Sequence, residues 1–312
     1  MYFDAIKTYL SSYNPFQRTG GTINSRYCYS VWLRHLMLLK SNNSNYQIPH
    51  VIAELGPGDS IGIGLAGLIS GVNQYYALDI VKYANDKINL KIFDELVKLF
   101  DERTEIPSEK EFPSLKPSLD SYEFPENIFN DNYLDKILNE DRLEEIRNSI
   151  SIYNHDSWHD QMIIYAVPWT EYNLLLSNSI DLIYSQAVLE HVDELEDVYH
   201  LMYEWLKPGG FMSHQIDFKC HGTAKKWNGH WQYSDNLWNF IKGKRAYLIN
   251  REPYSTHIKL LIKNNFKIID IQKREDFQGL KKDQLNEKFK FLTDEDLFTP
   301  SAYIQSAKRI EG

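Results

Sequence analysis

The chain has 312 residues, 43% hydrophobic and 25% charged, enough to build a full core of one large or two ordinary domains without staples. A net charge of −9 leaves no chain-wide basic field for a phosphate backbone or an anionic bilayer, so nucleic acid is not expected as a partner. Two cysteines, Cys28 and Cys220, exclude a disulfide scaffold or a thiolate zinc cluster and point to a reducing compartment. Met1 to Lys7 shows no basic leader before an apolar run, and no stretch reaches the about 18 consecutive apolar residues of a membrane span. A cytoplasmic protein is the expectation.

Taken along the chain, Tyr29, Trp32, Leu33, Leu36 and Leu39 recur at helical spacing and predict a helix over Ser25 to Lys40, in a helical cover formed by residues 1–48. The run from His50 to Leu55, closed by Gly56-Pro57-Gly58, reads as a buried strand ending in a tight turn. A helix follows from Ser60 to Ile69. A second strand, Tyr75 to Asp79, then places a carboxylate at its end. Between it and a third strand at Met162 to Val167 lie residues 81–160, read as an acidic helical insertion over the carboxyl edge of the sheet, a lid or a subunit contact. That stretch holds 19 acidic and 10 basic residues, so the whole charge imbalance lies there, and it is expected to be solvated or partner-facing.

Alternation resumes with a strand at Ile180 to Tyr184, an amphipathic helix from Glu194 to Leu206 stopped by Lys207-Pro208-Gly209-Gly210, and a strand at Phe211 to Phe218. A His- and Trp-rich loop, a helix near Thr256 to Lys263, a strand at Phe266 to Ile271 and an apolar stretch at Ala302 to Ala307 complete the chain. The fold class is α/β: a Rossmann-like, seven-stranded, mostly parallel sheet with helices on both faces, one domain over 49–312 interrupted by the insertion.

The stretch Glu54-Leu55-Gly56-Pro57-Gly58-Asp59-Ser60 closes a strand and opens a helix, where glycines allow close approach of a ligand and a helix start supplies free N–H groups. A pyrophosphate fingerprint would need a third glycine where Ile61 stands. This stretch, with Asp79, the segment Thr170 to Val192 and the Leu206-Lys207-Pro208-Gly209-Gly210 turn, resembles the class I S-adenosylmethionine-dependent methyltransferases over roughly Val51 to Asp217. The resemblance implies that S-adenosylmethionine lies against Glu54, Gly56, Pro57, Gly58 and Ser60, that Asp79 and Ile80 meet its ribose, and that Ser185 and Gln186 line the site. Thr170, with Glu171 beside it, stands where the family often has an Asp facing the adenine.

Methyl transfer is an in-line displacement in which alignment does most of the work, and a hydroxyl acceptor gains from a nearby base. The carboxyl ends of strands four and five bring forward His191, Asp217 and His221 as candidate bases. The stretch from Ser213 to Arg251 resembles that of uncharacterised methyltransferases associated with bacterial surface-polysaccharide and secondary-metabolite clusters, which implies a saccharide or other small-molecule acceptor. Trp227, His230 and Trp231 are then candidate walls for a sugar ring, and Asn250 and Arg251 candidate donors to its polar groups. Arg26 or Tyr27 would reach the cofactor's carboxylate if the first helix covers the site. No dedicated metal motif is present, so no metal is expected, and a homo-oligomer would form through the insertion or the N-terminal helix.

Overall fold

The computed structural model describes residues 21–43, 46–152, 161–169, 175–245 and 247–310. Helix α1 (Ser25–Ser41) starts where the Asn24 side chain accepts from Tyr27 N. Then come β1 (Val51–Leu55), α2 (Gly62–Ile69), β2 (Gln74–Leu78), α3 (Asp86–Asp101), α4 (Asp131–Ile137), α5 (Glu140–Ile152), β3 (Ile163–Ala166) and β4 (Ile180–Gln186). The chain ends with α6 (Leu195–Trp205), β5 (Leu206–Asp217), α7 (Asp235–Lys242), α8 (Tyr254–Lys263), β6 (Phe266–Arg274), α9 (Asp294–Phe298) and β7 (Ser301–Lys308).

The seven strands lie in the order β3-β2-β1-β4-β5-β7-β6, with β7 antiparallel to both neighbours and the other strand pairs parallel. The expected seven-stranded, mostly parallel α/β fold is what forms. The order in which successive strands are laid down reverses between the parallel neighbours β1 and β4, and the region outside the carboxyl ends of strands at such a point is where open α/β sheets bind ligands.

Strand alternation divides the core in two. Ile52, Leu182 and Tyr184 face α1, α2 and α3, while Ala53, Leu55, Ile183 and Met212 face α6 and α8. Helix α1 is no loose cover. Its Trp32, Leu33, Leu36 and Arg34 are fully buried, so this helix is part of the core.

The acidic stretch contributes to the core as well as to the surface. Ile106, Leu115, Phe129, Leu134, Ile137, Ile146 and Ile150 belong to the same core as α1 and α2. Tyr133 OH donates to Ser70 O, and an Arg142 guanidinium nitrogen donates to Leu68 O and Val72 O. These carbonyls lie at the carboxyl end of α2, which is the amino edge of the sheet. Helices α4 and α5 therefore brace the edge opposite the crevice, and their acidic side chains form only the outer face. The reason is amphipathicity: the charges that dominate the composition alternate with apolar residues at helical spacing.

Candidate active site

At the end of β1 the chain turns through Gly56 and Gly58, both with positive φ (64° and 74°). A Cβ on Gly56 would come within 2.6 Å of Val188 Cγ2, so glycine here lets the β1 and β4 ends close on each other. Gly56 N donates to Leu78 O at 2.8 Å, which ties this turn to the end of β2. Asp79 follows there, nearly buried. Its Oδ1 accepts from Ile80 N at 2.7 Å and Val81 N at 3.4 Å, and its Oδ2 accepts from Gly58 N at 3.4 Å. Burial pushes its pKa up against those backbone donors. Asp79, Ile80 and the Gly56-Pro57-Gly58 turn are thus brought together as expected, with Pro57 buried and Ile80 half-buried.

Other expected cofactor residues are not in this crevice. Glu54 is 2% exposed, and its Oε2 accepts from Tyr75 OH at 2.5 Å and Tyr184 OH at 3.1 Å; burial pushes its pKa up to about 7. It holds the strand ends together from inside. Ser60 is fully buried, its hydroxyl donating to Thr22 O and its N–H to Thr22 Oγ1. The N–H groups expected free at the start of α2 are also taken: Ile61 N by Asn89 Oδ1 and Gly62 N by Ser60 Oγ. Ser185 Oγ lies 2.8 Å from His214 Nδ1, on the α6 and α8 side of the sheet. Gln186, on the other side, bonds His35, Gln215 and Lys116 O. Alternation along β4 turns these two side chains into opposite faces, away from the carboxyl edge. Thr170 and Glu171 lie outside the described residues. Arg26 is bidentate to Glu111, and Tyr27 packs edge-on to Phe112.

The candidate bases do converge. A short 3-10 turn at Leu189–His191 follows β4, and the end of β5 supplies Asp217, Lys219 and His221. The His191 and His221 rings are 5.2 Å apart, and His221 Nε2 lies 3.6 Å from Asp217 Oδ2, which also pairs with Lys219 Nζ at 2.9 Å. Burial, helped by the charge of His221, lowers the His191 pKa to about 4. Burial opposes ionisation of Asp217, but His221 and Lys219 outweigh it and hold that carboxyl below its usual range. His221 is exposed and sits at φ 44°, followed by Gly222 at φ 79°.

Sequence reasoning missed Glu190. It is 2% exposed, neither carboxylate oxygen makes a close hydrogen bond among the described residues, its nearest donors being the backbone N–H groups of Glu190 and Asp217, and burial raises its pKa well above the ordinary value. Its place beside His191 was the available signal.

The expected acceptor residues are mostly buried and have partners within the protein. Trp231 is fully buried with Nε1 donating to Arg251 O at 2.8 Å, and His230 is 1% exposed under the same ring. Arg251 stacks between Trp238 and Phe289 and pairs with Asp235 at 2.5 Å. Asn250 Nδ2 donates to Leu189 O and Val192 O, which fixes the turn that carries His191. Trp227 packs edge-on against Trp231. These aromatics serve small satellite cores, a use of tryptophan that composition does not distinguish from ligand stacking. A separate cleft of about 860 Å³, between Lys40, Tyr46, His50, Gly71, Tyr133 and Lys136, opens at the amino edge and holds none of the converging groups.

No helix among the described residues is long and apolar enough to cross a membrane. No curated protein matches the sequence. Among solved structures, an S-adenosylmethionine-dependent methyltransferase from Mesorhizobium loti is 11% identical, with 87% of this chain and 96% of that one covered at a TM-score of 0.42. A putative one from Listeria monocytogenes is 12% identical, with 89% and 99% covered, also at 0.42. The cyclase SpnF is 9% identical, with 99% and 94% covered, at 0.43. Residues 164–213, from β3 through most of β5, match the family model of a methyltransferase domain; Glu190 and His191 fall inside the matched segment, and Asp217, Lys219 and His221 follow it.

Proposed function

We propose that the chain is an S-adenosylmethionine-dependent methyltransferase that methylates an oxygen of a small polar metabolite, with a sugar hydroxyl as the leading acceptor class. The observation that carries this reading is Asp79 beside the Gly56–Gly58 turn, at the point where strand order reverses and next to strands that match a methyltransferase domain. Asp79 has lone pairs left for the ribose hydroxyls, and the glycine turn admits the methionine portion. The N–H groups of Ser60, Ile61 and Gly62 are capped by Thr22, Asn89 and Ser60, so the cofactor's carboxylate falls to the turn rather than to the helix start.

The acceptor oxygen attacks the methyl carbon in line; an O–C bond forms, the C–S bond breaks, and S-adenosylhomocysteine leaves. The acceptor proton passes to His221, and Asp217 stabilises the resulting imidazolium. With a pKa near 4, His191 is neutral at physiological pH and serves the acceptor as a hydrogen-bonding group rather than as the proton acceptor. With Trp231 and Arg251 committed to the core, selectivity for the acceptor rests on the rim formed by His191, Asp217, Lys219 and His221. Turnover to S-adenosylhomocysteine on a panel of sugars, nucleotide sugars and non-sugar alcohols and amines tests this. The reading expects turnover with hydroxyl acceptors and a loss of about 100-fold or more in kcat on His221→Ala. Turnover confined to amines, or none on any acceptor, contradicts it.

A further inference from the structure

The cluster beside the crevice contains more than a base. Glu190, His191 and His221 each present a ligand atom, all within 4.8 Å of one another. Two of the three come with unmet bonding capacity: both oxygens of the buried Glu190 carboxylate and Nδ1 of His191 are shielded from solvent without a close hydrogen bond among the described residues, the carboxylate facing only the backbone N–H groups of Glu190 and Asp217. A buried carboxylate left without hydrogen bonds is costly, and structures tolerate one where it stays protonated or meets a cation. Lys219, the nearby ammonium, is engaged with Asp217.

We propose that Glu190, His191 and His221 form a binding site for one divalent first-row transition cation. Two imidazoles and one carboxylate suit such an ion rather than magnesium or calcium, which favour all-oxygen sets, and three protein ligands leave positions open for water or an acceptor hydroxyl. Two ligands of one ion stand at most about 4.2 Å apart, so the cluster must close slightly. His221, exposed on a loop with left-handed backbone, is the member free to move. Asp217 stands beside it as a supporting carboxylate. The ion's role in transfer rests on the methyltransferase reading: with the ion bound, His221 would serve as a ligand instead of the proton acceptor, the ion would polarise the acceptor hydroxyl, and Asp217 beside His221 would take the proton in its place. Its binding does not depend on that reading.

The test is titration of chelator-treated protein with cobalt(II), followed by calorimetry and visible absorption, on the wild type, Glu190→Gln and His221→Ala. Glu190→Gln keeps the buried shape without the charge, and His221→Ala alters an exposed loop, so both fold; circular dichroism verifies it. The proposal expects one equivalent bound by the wild type, with a ligand-field band, and affinity lower by about 100-fold or more in each variant. No binding by the wild type, or equal affinity in folded variants, overturns it. Calorimetry with S-adenosylmethionine on the same metal-free protein separates the two readings: cofactor binding without cobalt binding refutes only the ion, and cobalt binding without cofactor binding refutes only the methyltransferase.

Discussion

Glu54 and Asp79 both occupy acidic positions of the methyltransferase-like pattern, yet they face different surroundings. Asp79 sits against the backbone N–H groups of Gly58, Ile80 and Val81 at the end of β2, whereas Glu54 is enclosed by Tyr75 and Tyr184. An acid whose folded pKa is raised from 4.5 to about 7 binds its proton more tightly in the folded chain. Its contribution therefore favours folding at low pH and is lost as pH rises from about 4.5 through 7, by up to about 3 kcal/mol. Glu54→Gln should remove this dependence, so that its thermal stability gains on the wild type between pH 5 and pH 8. A constant difference in melting temperature across that range would show that Glu54 does not titrate there. The glycine turn and Asp79 were legible because the requirement is local: a positive φ and a carboxylate at a strand end. The internal partners of Ser185, Gln186, Trp231 and Arg251, namely His214, His35, Arg251 O and Asp235, were not legible because they come from elements 15 or more residues away.

Between elements, the closest packing is helix on sheet. A Cβ on Gly64 of α2 would stand 2.0 Å from Tyr75 Cζ, in the ring whose hydroxyl holds Glu54. Gly64→Ala should displace that ring and destabilise the fold by about 1–3 kcal/mol or more, read as a lower denaturation midpoint; an unchanged midpoint would mean that α2 shifts freely. Arg34 joins α1 to the acidic stretch, donating to Pro107 O, Leu115 O and Pro117 O and pairing with Glu109 at 3.0 Å. Arg34→Met leaves the Leu115 and Pro117 carbonyls unpaired, while Pro107 O keeps the Ser30 hydroxyl, and should cost about 3–5 kcal/mol by the same measurement. Alternation of strands and helices made the elements themselves readable. What residues 104–130 pack against was not, because that segment has no period and its contacts run to α1 and to the side chains of Gln215 and Gln272.

For the molecule as a whole, the net charge of −9 sits on residues whose apolar partners complete one face of the core. Removing 104–150 should therefore abolish cooperative unfolding rather than trim a lid, and a truncated chain with an intact thermal transition would contradict this. The sheet order, with antiparallel β7 between β5 and β6, puts its reversal point between β1 and β4, and α4 and α5 brace its amino edge. Cofactor binding at the carboxyl edge is the claim on which the remaining chemistry depends. Calorimetric titration of S-adenosylmethionine into the wild type and Asp79→Ala tests it most directly. The expected result is one site in the wild type and an affinity lower by about 10-fold or more in the variant, as a charge-assisted pair of ribose contacts is lost. No heat in the wild type, or equal affinity in the two proteins, would contradict it.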